Sequence, residues 1–414
     1  MHSLIRSTAA LAAALLLTLA PVPRAAAQTV LDFPTWQAEE PGVSTWWKNL
    51  IAAYEKQYPD VKINLQQIPF NQFVKQMTVR FAAGTPPDIV HLPSRDFASF
   101  ADQGWLEPLD DRLKKTDIPA SWPPLQADMQ WAGKTQGVLL MGYGGMLYYN
   151  EQKLKDAKLG VPKTPDEWLA AMKATTDAGK GQFGLATITA EHPNMVVEMA
   201  SFVIGEGADW LKAGKYNFTD PAVVKAVDQW RQATGYAPKG TNSATARQLF
   251  IDGKVTFLRD GPWVWGALAK APADVRPNLR IGALPFPVTP GGASNSLHLA
   301  AKTDAKKKEA AWNFIVMAAS PEWQSRYALT GSPAPRKGAL TAADLAAHPH
   351  LKVINDEAAK AHNLFPEVQA VRAEYNDFAT LVTRAAMRMI STQDPTPAVL
   401  SDLQAELARQ LPLK

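Results

Sequence analysis

Residues 30 to 104 alternate between two kinds of apolar spacing, and this alternation constrains the fold more than any single motif. Val30 to Thr35 is a short extended run that ends at Trp36. After a polar turn through Glu39, Glu40, Pro41 and Gly42, the side chains Trp46, Trp47, Leu50, Ile51 and Tyr54 recur at three- and four-residue spacing. That spacing predicts a helix ending near Tyr58 and Pro59. Val61 to Ile68 alternates as a strand does, a second helix is predicted from about Asn71 to Ala83 with a stop at Gly84, and Pro87 to Leu92 reads as a buried third strand. A helix around Asp96 to Asp102 then ends with Gly104. Strand, helix, strand, helix, strand is the pattern of an open α/β sheet, mostly parallel, with helices on its faces. Ligands of such sheets bind beyond the carboxyl ends of the strands. Trp36 to Glu40 and Ser94 to Asp96 follow two of those ends, so Trp36, Glu40, Ser94, Arg95 and Asp96 are candidate site residues.

The chain has 414 residues, and residues 1–27 carry the marks of a secretory signal peptide: Arg6, an apolar run from Ala9 to Ala20, then Ala25, Ala26 and Ala27. The run is too short to span a bilayer and no later segment is apolar enough, so a soluble exported protein is expected. Cleavage after Ala27 leaves roughly 390 residues, more than one hydrophobic core usually supports, and two domains are expected. Loss of Arg6 and Arg24 takes the formal charge of +4 toward neutrality. With Lys and Arg scattered among acids, no basic stripe for nucleic acid is present. The absence of cysteine excludes disulfides, thiolate metal sites, cysteine nucleophiles and a lipid-modified cysteine anchor. An unanchored exported protein points to a periplasm.

The remaining chain divides by its glycines and prolines. A Pro-rich connection spans Ile118 to Pro124, and an extended run from Gly137 to Asn150, broken at Gly142, Gly144 and Gly145, suits a crossing between lobes. Thr164 with Glu167 has capping-box spacing. Val223, Val224, Val227 and Trp230 mark a helix of a second α/β lobe. An extended run from Arg280 to Pro287, a loop from Pro290 to Asn295 and an apolar run from Leu297 make a second crossing; Gly331 to Pro335 makes a third. The resulting domain plan is 28–140 plus 292–335 for lobe 1 and 141–291 plus 336–414 for lobe 2, with C-terminal helices at Leu345 to Ala361, Val368 to Ile390 and Pro397 to Leu411.

No metal-ligand helix pattern, P-loop, nucleophile elbow or dinucleotide fingerprint occurs. His348 and His350 flank Pro349 on what reads as an exposed loop, and no metal or cofactor is expected. Asn217-Phe-Thr219 matches a glycosylation acceptor by chance spacing. A glycosidase needs two carboxyl groups flanking the scissile bond, and the adjacent pairs Glu39 with Glu40 and Asp110 with Asp111 carry no mark of one raised and one ionised member. A secreted sugar-active enzyme is therefore the alternative reading, and a structural or adhesive surface protein a third. Thirteen tryptophans supply flat apolar faces of the kind that stack on sugar rings.

Four segments together resemble the family of sugar-binding extracellular solute-binding proteins that includes the maltose-binding protein. They are Gly84-Thr-Pro-Pro-Asp-Ile-Val90, Leu147-Tyr-Tyr-Asn150, Phe250-Ile-Asp-Gly253 followed by Gly261-Pro-Trp-Val-Trp265, and Thr330-Gly-Ser-Pro-Ala-Pro-Arg336. The resemblance implies a two-lobed periplasmic binding protein fold, a ligand cleft between the lobes, closure on binding, and delivery of the solute by a monomer to the membrane permease of an ABC importer. Matched residue by residue, it implies that Trp263 stacks on ligand, that Trp36 is another cleft position and that Tyr143 is a polar contact on the crossing strand. Ser332 and Arg336, in the third crossing, face the cleft or brace the hinge. Leu92 stands where the maltose binder has an aromatic, which leaves a mono- or disaccharide, a polyol or a glycerol phosphodiester open.

Overall fold

The computed structural model describes residues 28–122 and 124–413, and the expected signal peptide lies outside the described residues. The first lobe opens with β1 (Thr29–Thr35), α1 (Val43–Gln57), β2 (Val61–Gln67), α2 (Phe70–Ala82), β3 (Val90–Pro93) and α3 (Phe97–Asp102). β1 and β2 pair in parallel, Thr29 opposite Val61 through Thr35 opposite Gln67. The Asp32 carbonyl accepts from the Asp88 and Ile89 amides, which seats β3 beside them. α1 buries Val43, Trp46, Trp47, Leu50 and Tyr54. Each such side chain contributes about 1.5–3 kcal/mol relative to exposure.

Chain order then supplies β4 (Val138–Gly144), β5 (Met146–Asn150), β6 (Phe183–Ala186), β7 (Val255–Asp260), β8 (Leu279–Ala283) and β9 (Pro290–His298). In the first lobe β9 lies antiparallel between β3 and β4. The second sheet runs β8, β5, β7, β6, where only β7 and β6 are parallel. Both sheets are thus mixed, because the crossing strands enter them in the reverse sense. One buried core gathers side chains between Leu31 and Met141 and between Leu297 and Tyr327. Two further clusters, between Met146 and Leu284 and between Leu351 and Leu411, fill the other lobe. Among the described residues no helix is long and apolar enough to cross a membrane.

Four local expectations are corrected. The loop expected from Pro290 to Asn295 is instead the body of β9. Its glycines serve close approach: a Cβ on Gly291 would overlap the Tyr143 carbonyl, and one on Gly292, whose φ is +116°, would overlap Asn363. The helix expected from Leu345 to Ala361 is two, Ala342–Ala347 and Pro349–Ala359, because His348 precedes a proline and leaves the helical region, with φ −131° and ψ 72°. The one expected from Val368 to Ile390 is likewise split, at Glu374, into Gln369–Ala373 and Tyr375–Ser391. At Thr164 only half of the capping box forms. Its hydroxyl accepts from Glu167 N at 3.2 Å, while the Glu167 carboxylate reaches Lys163 N at 2.7 Å.

His298, at the end of β9, is fully buried, donates from Nδ1 to the Gln136 carbonyl at 2.8 Å and stacks on Phe97. Burial lowers its pKa from 6.5 to about 4, against the opposing pull of the Gln136 hydrogen bond. Below about 6.5 the unfolded chain takes up a proton that the folded chain refuses. This contribution to stability is therefore complete above that pH and is lost as pH falls toward 4. Melting of His298→Gln beside the unsubstituted protein should show a gap in Tm at pH 7.5 that narrows toward pH 4.5; a constant gap would exclude a neutral His298.

Candidate functional site

A cleft of about 380 Å³ separates the two lobes, within the size range of small-molecule sites. Its floor comes from the crossing strands, with Met141 and Tyr143 from β4 and Ala293 and Asn295 from β9. Of the nine residues singled out in the sequence, Trp36, Glu40, Ser94, Arg95, Tyr143 and Trp263 line it.

Trp36 follows β1 and is held on several sides. His91 stacks on it at 4.1 Å with 13° between the ring planes, and Phe70 and Phe73 meet it edge-on. His91 is itself fixed, since Nδ1 accepts from the Thr35 hydroxyl at 2.8 Å and Nε2 donates to Asn295 Oδ1 at 3.0 Å. Burial, only partly offset by Asn295, holds its pKa down at about 3, so the ring is neutral. Ser94 sits after β3 with its Oγ buried and unpartnered, a polar atom presented to the cleft. Arg95 extends across the opening: Nη2 donates to Asn194 Oδ1 of the second lobe at 2.9 Å, and the guanidinium lies 5.6 Å from the Phe70 and Tyr375 ring centres.

On the opposite wall, the Asp260 carboxylate ends β7 and organises its surroundings. Oδ1 accepts from Gly261 N at 2.7 Å, Trp263 Nε1 at 2.9 Å and Arg247 Nη2 at 3.1 Å, and Oδ2 accepts from Arg247 Nε at 2.7 Å. Arg247 projects from the helix Ser243–Ile251, whose start is fixed by Asn242 accepting from Thr245 N at 2.9 Å. Gly261 is required here, because a Cβ would run into the Trp263 indole. Trp263 then meets Tyr143 with ring centres 5.3 Å apart. Beneath them Arg259 and Glu198 form a buried pair, Nε to Oε2 at 3.0 Å and Nη2 to Oε1 at 2.9 Å, with Ser201 accepting from Arg259 Nη1. Glu40 faces this wall. Its Oε2 is buried without a hydrogen-bond partner, and burial, partly offset by Arg247, raises its pKa to about 7.

Three candidates lie elsewhere. Asp96 is buried behind Arg95, its Oδ2 3.5 Å from Arg95 Nε, and burial raises its pKa to about 6. Ser332 is 1% exposed and accepts from Thr330 Oγ1 at 3.0 Å, bracing the third crossing. Arg336 points away from the cleft: it pairs with Asp117, donates to the Ala319 carbonyl at 3.1 Å and covers Trp122. Sequence reading missed Asn194, Glu198, Arg247, Arg259 and Asp260. Asp260 was within reach of the strand-end rule, since it closes β7 directly before Gly261-Pro262-Trp263. It also missed the segment from Asn363 to Tyr375, which reaches over the cleft and ties the lobes together through Arg372 Nη2 donating to the Asp128 carbonyl at 2.7 Å. His350 stacks on Trp265 at 4.2 Å, which gives that histidine a packing role.

Residues 37–325 match the family model of the bacterial extracellular solute-binding proteins. The chain belongs to that family. This solute-binding protein is 26% identical over 392 residues to the diacetylchitobiose binding protein DasA of Streptomyces coelicolor, covering 91% of this chain and 89% of that one. In fold it is similar to a solute-binding protein of Thermotoga lettingae bound with α-D-tagatose, with a TM-score of 0.83, 20% identity, and coverage of 93% and 100% of the two chains. UgpB of Mycobacterium tuberculosis, in complex with glycerophosphocholine, matches with a TM-score of 0.78 and 19% identity over 92% and 98% of the two chains.

Removing one member of the pair beneath the cleft of this solute-binding protein leaves an uncompensated buried charge. Arg259→Ala should therefore cost about 3–5 kcal/mol of stability, measured by denaturant unfolding, whereas Arg259→Leu combined with Glu198→Leu should cost far less. Equal losses in the single and double variants would show that packing, not charge, governs the position.

Proposed function

We propose that this protein is the substrate-binding component of an ABC importer, capturing a sugar or sugar-like solute in the cleft and handing it to a membrane permease. The solute is a mono- or oligosaccharide, a polyol or a glycerol phosphodiester. The observation that carries this reading is the pairing of aromatic and polar walls: Trp263 and Tyr143 on one side and Trp36 on the other, framed by Asn194, Asn295 and fixed charged groups. Sugars present C–H groups on their faces and hydroxyls at their edges, and such walls match both. The relatives that bind diacetylchitobiose, tagatose and glycerophosphocholine support the same class. In this reading the protein catalyses nothing, acts as a monomer in the periplasm and loses residues 1–27 on export. Lobe 1 comprises 28–140 with 292–335, and lobe 2 comprises 141–291 with 336–414, except that Arg336 and Lys337 remain tied to lobe 1 through Asp117 and the Ser121 carbonyl. Closure proceeds as near-rigid rotation about the glycine-bearing crossings.

A thermal-shift screen against sugars, polyols and their phosphates finds the ligand class, since a bound ligand stabilises by mass action. Calorimetric titration of Trp263→Ala then tests the site. Truncating an anchoring tryptophan costs about 2–4 kcal/mol at a recognition site, a loss of roughly 30- to 1,000-fold. The variant should lose binding while keeping its fold. Near-normal affinity in a folded Trp263→Ala protein would remove Trp263 from the site.

A further inference from the structure

Of the four arginines that line the cleft among the described residues, two are held by carboxylates and two donate to neutral acceptors. Arg247 is held by both oxygens of Asp260, and Arg259 by both oxygens of Glu198. Arg372 donates to the Asp128 carbonyl and lies over Phe97 and Trp131, while Arg95 reaches Asn194 and Asp96. The carboxylates that line the cleft, Glu39, Glu40, Asp128, Glu198, Asp260 and Glu367, outnumber those four arginines. Glu40 presents an oxygen with no hydrogen-bond partner, and Glu39 lines the same space with a side chain that pairs with no cation. A phosphate group recognises arginine by paired N–H donors. At Arg247 and Arg259 those donors are spent on carboxylates, and an anion bound there would face Glu40 or displace Asp260 or Glu198 from its partner.

We infer that the cleft sorts solutes by charge, with Glu40 as the specificity-determining residue: it accepts hydrogens from a saccharide or polyol that bears no anionic group and turns away phosphate esters. An ionised carboxylate is an acceptor only, so hydroxyls or an ammonium group satisfy it and phosphate oxygens cannot. The carboxyl at about pKa 7 is largely unprotonated in mildly alkaline buffer, and its lone oxygen is then costly to leave unpaired. This inference rests on the solute-binding reading above and narrows it, removing the glycerol phosphodiesters and sugar phosphates from the open classes.

The test uses melting curves and calorimetric titrations of the purified protein at pH 8 with five probes: maltose, ribitol, glucosamine, glucose 6-phosphate and glycerophosphoglycerol. In the unsubstituted protein at least one of the first three should bind, with both phosphate probes weaker by about 100-fold or more, the scale expected when like charges are brought together. Glu40→Gln keeps the shape and removes the charge. It should narrow that ratio by about 10-fold, through a loss on the uncharged or amino side, a gain on the phosphate side, or both. A phosphate probe that binds the unsubstituted protein as tightly as the other three would overturn the inference while leaving the solute-binding reading standing. An unchanged ratio in folded Glu40→Gln would remove Glu40 from the role. Failure of all five probes to bind would overturn both readings together, and the charge preference of the unsubstituted protein is measured whether or not the variant folds.

Discussion

The antiparallel pairing of the two crossing strands β4 and β9 is the constraint on which the rest of the molecule depends. Gly291 lies opposite Gly144 and Gly292 opposite Tyr143. With no side chains between them, the backbones come close enough that the Tyr143 carbonyl occupies the space a Cβ on Gly291 would need. That contact sets where the lobes join. It also places the cleft floor, since Tyr143 and Asn295 stand on these same two strands. Asn295 in turn binds His91, and His91 backs Trp36. The position of Trp36 is thus traceable, link by link, to a pair of glycines near the start of a strand.

The charged wall follows a different logic. Burial strips water from the Arg259–Glu198 pair and from part of the Arg247–Asp260 pair, and the attraction within each pair roughly offsets that cost. Little net stability is expected from them. Their effect is orientation: Asp260 holds Trp263 by its indole N–H at 2.9 Å and holds Arg247 by two bonds, so three groups of one wall share a single carboxylate. A site fixed in this way loses less side-chain freedom when it binds.

Legibility in the sequence was uneven, and the reasons are physical. The helix α1 was plain because burial of one face imposes a 3.6-residue period, and Trp46, Trp47, Leu50 and Tyr54 report it directly. Residues after β1 and β3 were legible because strand ends point into a cleft. β9 was misread as a loop because glycine is ambiguous on its own: the same residue serves a turn or a close approach, and only the partner strand distinguishes them. Arg336 stayed open between cleft and hinge for a related reason, since a guanidinium looks alike whether it meets a ligand or, as here, Asp117 and Trp122. Arg259 and Glu198 were invisible, being 61 positions apart. No local pattern announces a pair that distant.

Direct contacts between the lobes bear on what a ligand has to supply. Arg95 reaches Asn194 at 2.9 Å, Arg372 reaches the Asp128 carbonyl at 2.7 Å, and Asn363 reaches Asp128 Oδ2 at 3.3 Å. A ligand shifts an open-to-closed equilibrium only by its differential affinity for the two forms. Each bond the lobes make with one another moves the resting equilibrium toward closure and reduces the share the ligand contributes, which raises apparent affinity. The same bonds resist opening, and release to a downstream acceptor requires opening. Each of these three is a single hydrogen bond of roughly 0.5–1.5 kcal/mol net, up to about 3 where a charged group takes part, on a polar rim open to water. Bonds of that size bias closure without fixing it, whereas one apolar seal of similar extent would hold the lobes shut and leave the solute trapped.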